Sequence, residues 1–119
     1  MVANEKEQRL PPYIEKALHY IKDNYREKIS VEDIASQVQL SSSHLFAVFK
    51  KQMGVSPISF LNSYRMSIAA EQLQGTTKPI NQIAAEVGID DSIYFNKIFK
   101  KYYQMSPTEY RFCYIPKSE

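Results

Sequence analysis

Two lysine pairs, Lys50-Lys51 and Lys100-Lys101, stand 50 residues apart, and each directly follows a phenylalanine, Phe49 or Phe99. Paired surface cations neutralise phosphate oxygens and release the counterions gathered there. At the end of a helix, the same cations would also complement the dipole. Recurrence at equivalent places favours phosphate contact. Little else in the chain offers covalent chemistry. Its two histidines, His19 and His44, have no Cys, Asp or Glu cluster beside them at ligand spacing, so no metal is expected. There is no Gly-rich phosphate loop and no nucleophile–base constellation, so neither an enzyme nor a cofactor is expected.

The lysine pairs belong to a larger repeat. Ile34-Ala35-Ser36-Gln37-Val38-Gln39-Leu40 returns as Ile83-Ala84-Ala85-Glu86-Val87-Gly88-Ile89, a shift of 49. From the lysines onward the shift is 50, and Ser56-Pro57 returns as Ser106-Pro107. One residue has therefore been gained between Ile89 and Phe95, where a turn is expected. Short amphipathic helices around a tight turn, given twice, predict two helix-turn-helix modules.

Composition narrows the setting. The 119 residues are 44% apolar, enough for one compact domain or two small lobes. The single cysteine, Cys113, forms no internal disulfide and fits a reducing, cytoplasmic setting, where it is expected to pack as a small residue. No segment is long and apolar enough to span a bilayer, and no membrane partner is expected. The net charge is only +2, so attraction to phosphates must come from local clustering.

The elements that would position these residues are legible from periodicity and caps. Residues 1–10 read as a disordered lead-in or linker. Pro11-Pro12 opens a leader helix with Ile14, Leu18, Ile21 and Tyr25 on one stripe. Ser30 caps the next helix with Asp33 at its third position, and Ile29 and Ile34 are placed for a hydrophobic staple. Ser56-Pro57 and Ser106-Pro107-Thr108-Glu109 repeat the cap, with proline at the first helical position. From Pro57 a long connector runs to Gln74 with Phe60, Leu61, Tyr64, Ile68 and Leu73 inward, and Gly75 stops it as a C-terminal cap. The nine tyrosines fall mostly on core stripes. The expected organisation is a leader helix and first lobe over 11–56, the connector over 57–75, a second lobe over 76–115, and a tail over 116–119. That makes an all-α chain of about seven helices.

In each module the second helix should present a face to a partner. Between Ser42 and Gln52, Leu45, Val48 and Phe49 turn inward and leave Ser43, Phe46, Ala47 and Lys50 outward. Between Ser92 and Tyr103, Phe95, Ile98, Phe99 and Tyr102 turn inward and leave Ile93, Asn96, Lys97 and Lys100 outward.

These residues carry a resemblance. Ile34-Ala35 through His44-Leu45, Phe49-Lys50-Lys51 and Gly54-Val55-Ser56-Pro57 resemble the first half of the AraC/XylS family DNA-binding domain. Ile83-Ala84 through Tyr94-Phe95, Phe99-Lys100-Lys101 and Ser106-Pro107-Thr108-Glu109-Tyr110-Arg111 resemble its second half. The likeness runs from about Ile14 to Arg111. It implies two lobes of homeodomain-like type and a bacterial transcription regulator whose recognition helices enter successive major grooves of double-stranded DNA. It also implies RNA polymerase as a partner and a sensor or receiver domain upstream in the full-length protein.

Base-facing positions carried over from the family are Ser43, Phe46 and Ala47 in the first module, and Ser92, Ile93, Asn96 and Lys97 in the second. Two departures stand out. The family usually has polar or basic residues where Phe46 and Ala47 stand, and glycine where Gln39 and Gln104 stand. An outward Phe46 contacts thymine methyls but donates nothing to guanine; an inward one is simply core. Asn96 suits adenine and Lys97 suits guanine. Lys50, Lys51, Lys100 and Lys101 are the phosphate candidates. His44 is either a further phosphate donor or a plain surface residue, and Tyr94, near a helix start, is a candidate DNA contact. Arg65 is expected to stitch the connector to a lobe.

At about 1.5 Å per residue the connector spans roughly 27 Å. Successive grooves lie about 34 Å apart, so bent DNA or tilted insertion is expected. The rival reading is a helical protein-interaction module that does not bind DNA.

Overall fold

The computed structural model describes residues 9–113; residues 1–8 of the expected lead-in, residues 114–115 of the expected second lobe and the expected tail over 116–119 lie outside the described residues. Among the described residues there are seven helices and no strand. In chain order they are α1 (Pro12–Asn24), α2 (Val31–Gln37), α3 (Ser42–Met53), α4 (Pro57–Gly75), α5 (Ile80–Glu86), α6 (Ser92–Tyr103) and α7 (Pro107–Cys113). Contacts divide them into two compact units. The first holds the described residues to Asn24 together with Ile29–Phe60; the second holds Tyr25–Lys28 and the described residues from Leu61.

In the first unit, α1 packs on α2 and α2 on α3. Ile14, Ala17 and Ile21 of α1, Ile34 and Ala35 of α2, and Leu45 and Phe49 of α3 are buried. The ring of Phe49 meets that of Phe60 at 6.0 Å. Helix α2 begins in a full capping box: the Ser30 Oγ accepts from the Asp33 amide at 3.1 Å, and an Asp33 carboxylate oxygen accepts from the Ser30 amide at 2.9 Å. Exchanging such a cap for alanine typically costs about 1 kcal/mol, a large fraction for a helix of two turns.

The second unit is built on Met66, Ala69, Ala70 and Leu73 of α4, Ile83 and Ala84 of α5, Val87 and Ile89 of the turn, and Phe95, Ile98 and Phe99 of α6. Tyr110 of α7 closes it, meeting Phe99 at 5.3 Å in a T-shaped pair. Phe99–Tyr110 repeats Phe49–Phe60 at a shift of 50, so the duplication extends to the core. Ser106 and Glu109 form the second reciprocal cap, at 2.9 and 3.1 Å.

Four expectations need correction. Tyr25 does not extend the stripe of α1. The helix ends at Asn24, and Tyr25 lies in the second unit, its ring edge-on to Tyr64 at 5.2 Å. On α4, Leu61 and Leu73 are buried, but Phe60, Tyr64 and Ile68 are only half-buried, while Met66, Ala69 and Ala70 are fully inward. The first turn of α4 belongs to one unit and the rest to the other, so no single stripe describes its burial. Gly75 is the last residue of α4 and does not adopt left-handed geometry. The helix end is instead satisfied by the Thr76 amide and hydroxyl, both donating to the Gln72 carbonyl, and by Arg111, which donates to the Leu73 and Thr76 carbonyls. Finally, Cys113 is exposed and does not pack as a small residue, whereas Tyr25, Tyr102, Tyr103 and Tyr110 do pack, half-buried, against the core of the second unit.

Arg65 is one of the few charged groups taken inside. Its Nε donates to the Tyr25 carbonyl at 2.8 Å and its Nη2 to the Glu27 carbonyl at 2.7 Å, holding the 25–28 segment on the second unit. Burial lowers its pKa from the ordinary arginine value.

Candidate nucleic-acid interface

Each helix-turn-helix ends its first helix in a turn that needs one left-handed residue. Gln39 supplies it in the first copy at φ 61, and Gly88 in the second at φ 94. The second helix of each copy also ends left-handed, at Gly54 (φ 82) and Gln104 (φ 66). Each copy thus has one glycine and one glutamine at these two places, in opposite order. The two glutamines stand where the family resemblance led one to expect glycine, and the backbone adopts the glycine-type geometry regardless, at a cost of about 1 kcal/mol each.

The gained residue lies in the turn between α5 and α6. Helix α2 and α5 end 49 residues apart, whereas α3 and α6 begin 50 apart. In the first copy Ser41 caps α3, accepting from the His44 amide at 3.1 Å. In the second, Asp91 caps α6, accepting from the Ile93 and Tyr94 amides at 3.0 and 3.3 Å. In the same turn Asp90 stands 3.5 Å from Lys28, a pair so exposed that it contributes little stability. Ser41 and Asp91 were not singled out from sequence, although both stand directly before the recognition helices and have the right side chains for caps.

The outward faces are where periodicity puts them. On α3, Leu45 and Phe49 are buried, while Ser43, His44, Phe46, Ala47, Lys50 and Lys51 are exposed. Phe46 is therefore not core: 47% of it is exposed. It borders an open hollow of about 350 Å³ lined by Val31, Ser42, Ser43 and Phe46 itself. Val31, from the preceding helix, was not among the sequence candidates. On α6, Phe95, Ile98 and Phe99 are buried, while Ser92, Ile93, Tyr94, Asn96, Lys97, Lys100 and Lys101 are exposed. Ile93 is 78% exposed, an unusual placement for a β-branched apolar side chain.

At a shift of 50 the two faces correspond residue by residue: Ser43 with Ile93, His44 with Tyr94, Phe46 with Asn96, Ala47 with Lys97, and Lys50 with Lys100. One copy offers a small hydroxyl, an imidazole and apolar groups, the other an isoleucine, a phenol, an amide and a cation. Both end in cations at the last helical turn. Among the described residues no cluster of His, Cys, Asp or Glu is placed to hold a metal, and no helix is long and apolar enough to cross a membrane.

The helix-turn-helix domain family matches residues 34–112, which contain both copies. The chain belongs to the AraC/XylS type of this family. That family comprises DNA-binding transcription regulators and is not an enzyme class. Over 98 residues the chain is 40% identical to the lactose operon transcription activator of Staphylococcus xylosus, covering 82% of this chain and 35% of that protein. Against the arabinose operon regulatory protein of Escherichia coli K12 it is 35% identical over 99 residues, covering 82% and 34% of the two chains. It thus spans about a third of the length of these relatives. The C-terminal domain of AraT, a response regulator from Geobacillus stearothermophilus, superposes with a TM-score of 0.88 at 34% identity, covering 92% of each chain.

Proposed function

We propose that this chain is the sequence-reading DNA-binding domain of a bacterial transcription regulator, with α3 and α6 entering successive major grooves of one duplex. The observation that carries this reading is the duplicated recognition helix. Each is anchored by a capped turn, each buries one face in its own unit, and each leaves the same set of positions outward. The base-facing residues are Ser43, Phe46, Ala47, Ser92, Ile93, Asn96 and Lys97. Phosphate contacts come from His44, Lys50, Lys51, Tyr94, Lys100 and Lys101. With a net charge of only +2, these clustered lysines supply the local field that brings the helices to the backbone.

The names of the relatives, an operon activator and an operon regulatory protein, support a role in transcription. Because the chain spans about a third of their length, a sensor or receiver domain joined to it in the full-length protein belongs to the same proposal. So do contact with RNA polymerase and a cytoplasmic location. Selection of bound sequences from a random duplex pool, followed by affinity measurements across a salt series, tests the reading. A specific site whose affinity falls steeply with salt supports it, because phosphate neutralisation releases counterions. No enriched sequence, or salt-independent binding, would favour a protein-interaction module instead.

A further inference from the structure

We propose that the first recognition helix selects its half-site through thymine C5-methyl groups, with Phe46 as the specificity-determining residue and Ser43 as its partner. The inference rests on the DNA-binding reading above and names what one of its two faces recognises.

The helical face presented by α3 holds no amide, carboxylate or guanidinium. Its exposed middle is Phe46 and Ala47, with Ser43 one turn before and Lys50 one turn after. Lys50 and Lys51 at the C-terminal end fix the helix to backbone, which carries no sequence information. Discrimination between bases thus falls to Ser43, Phe46 and Ala47. A serine hydroxyl both donates and accepts, so it satisfies the O4 acceptor of thymine or the N4 donor of cytosine alike. What separates these pyrimidines for such a face is the methyl group, which only thymine carries in the major groove.

The geometry suits that group. Phe46 is 47% exposed, and beside it lies a hollow whose other lining residues are Val31, Ser42 and Ser43. Val31 comes from α2, so the apolar wall is built by two helices. A methyl entering the hollow would lose contact with water against Phe46 and Val31, with two serines among the lining residues able to meet the neighbouring O4. The equivalent of Phe46 in the second copy is Asn96, whose amide reads by hydrogen bonds, so dependence on methyl groups should divide unequally between the half-sites.

The test uses the full chain and the duplex it selects. Each thymine is replaced singly by deoxyuridine, which removes only the methyl, and affinities are measured by fluorescence anisotropy for the native chain and for Phe46→Ala. For the native chain, removing a buried methyl should weaken binding about fourfold at one or two positions in one half-site. For Phe46→Ala the same replacements should have no effect. At a sensitive position, replacing the T·A pair by C·G should weaken binding, and 5-methylation of that cytosine should restore part of the loss. The proposal is overturned if deoxyuridine is neutral throughout with the native chain, or if Phe46→Ala keeps the same sensitivity. Failure to select any duplex would overturn the DNA-binding reading itself and this inference with it, a result distinct from a bound site indifferent to methyl groups.

Discussion

Gly88 lies against the carbonyl oxygen of Tyr25 so closely that a Cβ there would come within 2.6 Å of it, and within 3.0 Å of the Arg65 guanidinium. Gln39, its counterpart in the first copy, has the same left-handed backbone and carries a full side chain in an exposed position. The two copies share a turn but not its surroundings. In the second, the turn is pressed against a segment held by Arg65.

Gly88→Ala should therefore destabilise the protein by about 2–4 kcal/mol, from a backbone clash added to left-handed strain. Gln39→Gly should change stability by less than about 1 kcal/mol, since relief of strain is offset by a more flexible unfolded chain. Urea denaturation of the two variants checks the contrast, and equal effects would refute it.

Removal of the Arg65 side chain leaves the Tyr25 and Glu27 carbonyls without their donor. Arg65→Ala should cost about 3 kcal/mol. Arg65→Lys should recover only part, because one ammonium on a flexible stem cannot reproduce two bonds from a planar fork. A lysine variant as stable as the native chain would show that charge alone suffices.

At the proposed DNA interface, Lys100→Ala with Lys101→Ala should reduce the slope of log affinity against log salt by about 2 if both lysines meet phosphate, and weaken all sequences alike. Lys97→Ala should instead relax preference at one base pair. A uniform loss across single-base operator variants would make Lys97 another backbone contact.

Alkaline stability should depend on tyrosine. Burial, then the nearby Tyr110 and Glu71, raises the Tyr103 pKa above its ordinary value, and burial does the same for Tyr102. A phenol with its pKa raised in the fold contributes stability that is complete below the unfolded value of about 10 and is lost as pH rises through the folded one. Tyr103→Phe keeps the ring stacked on Phe99 at 4.6 Å and removes the titrating hydroxyl. Its melting temperature should fall less between pH 8 and pH 11 than that of the native chain; equal falls would remove Tyr103 as a cause.

Much of this was legible in the residues because local chemistry is repeated. The caps at Ser30 and Ser106 and the outward faces of α3 and α6 follow from side-chain type and helical period, and the family resemblance marked Gln39 and Gln104 as glycine-type positions. The departures share another origin. Tyr25 continues an apolar period yet leaves its helix because Arg65, 40 residues away, holds its carbonyl. The burial of Met66, Ala69 and Ala70 likewise depends on which unit each turn of α4 serves. Val31 beside Phe46 is a neighbour created by the turn between helices, which a single-helix projection does not contain. Phe46 itself is open to two readings on sequence, and its exposure in the fold decides for the outward one.

The correspondence of Phe46 with Asn96 and of Ala47 with Lys97 means that the duplication is no longer a duplication on the outward faces of α3 and α6. If these faces meet bases, a protein with two identical faces would ask both half-sites for the same sequence. This one would meet a reversed element with its amide and lysine over methyl-rich pairs and its phenylalanine over the rest. A single copy of the chain would thereby define an upstream and a downstream end on the duplex without a second subunit to break the tie.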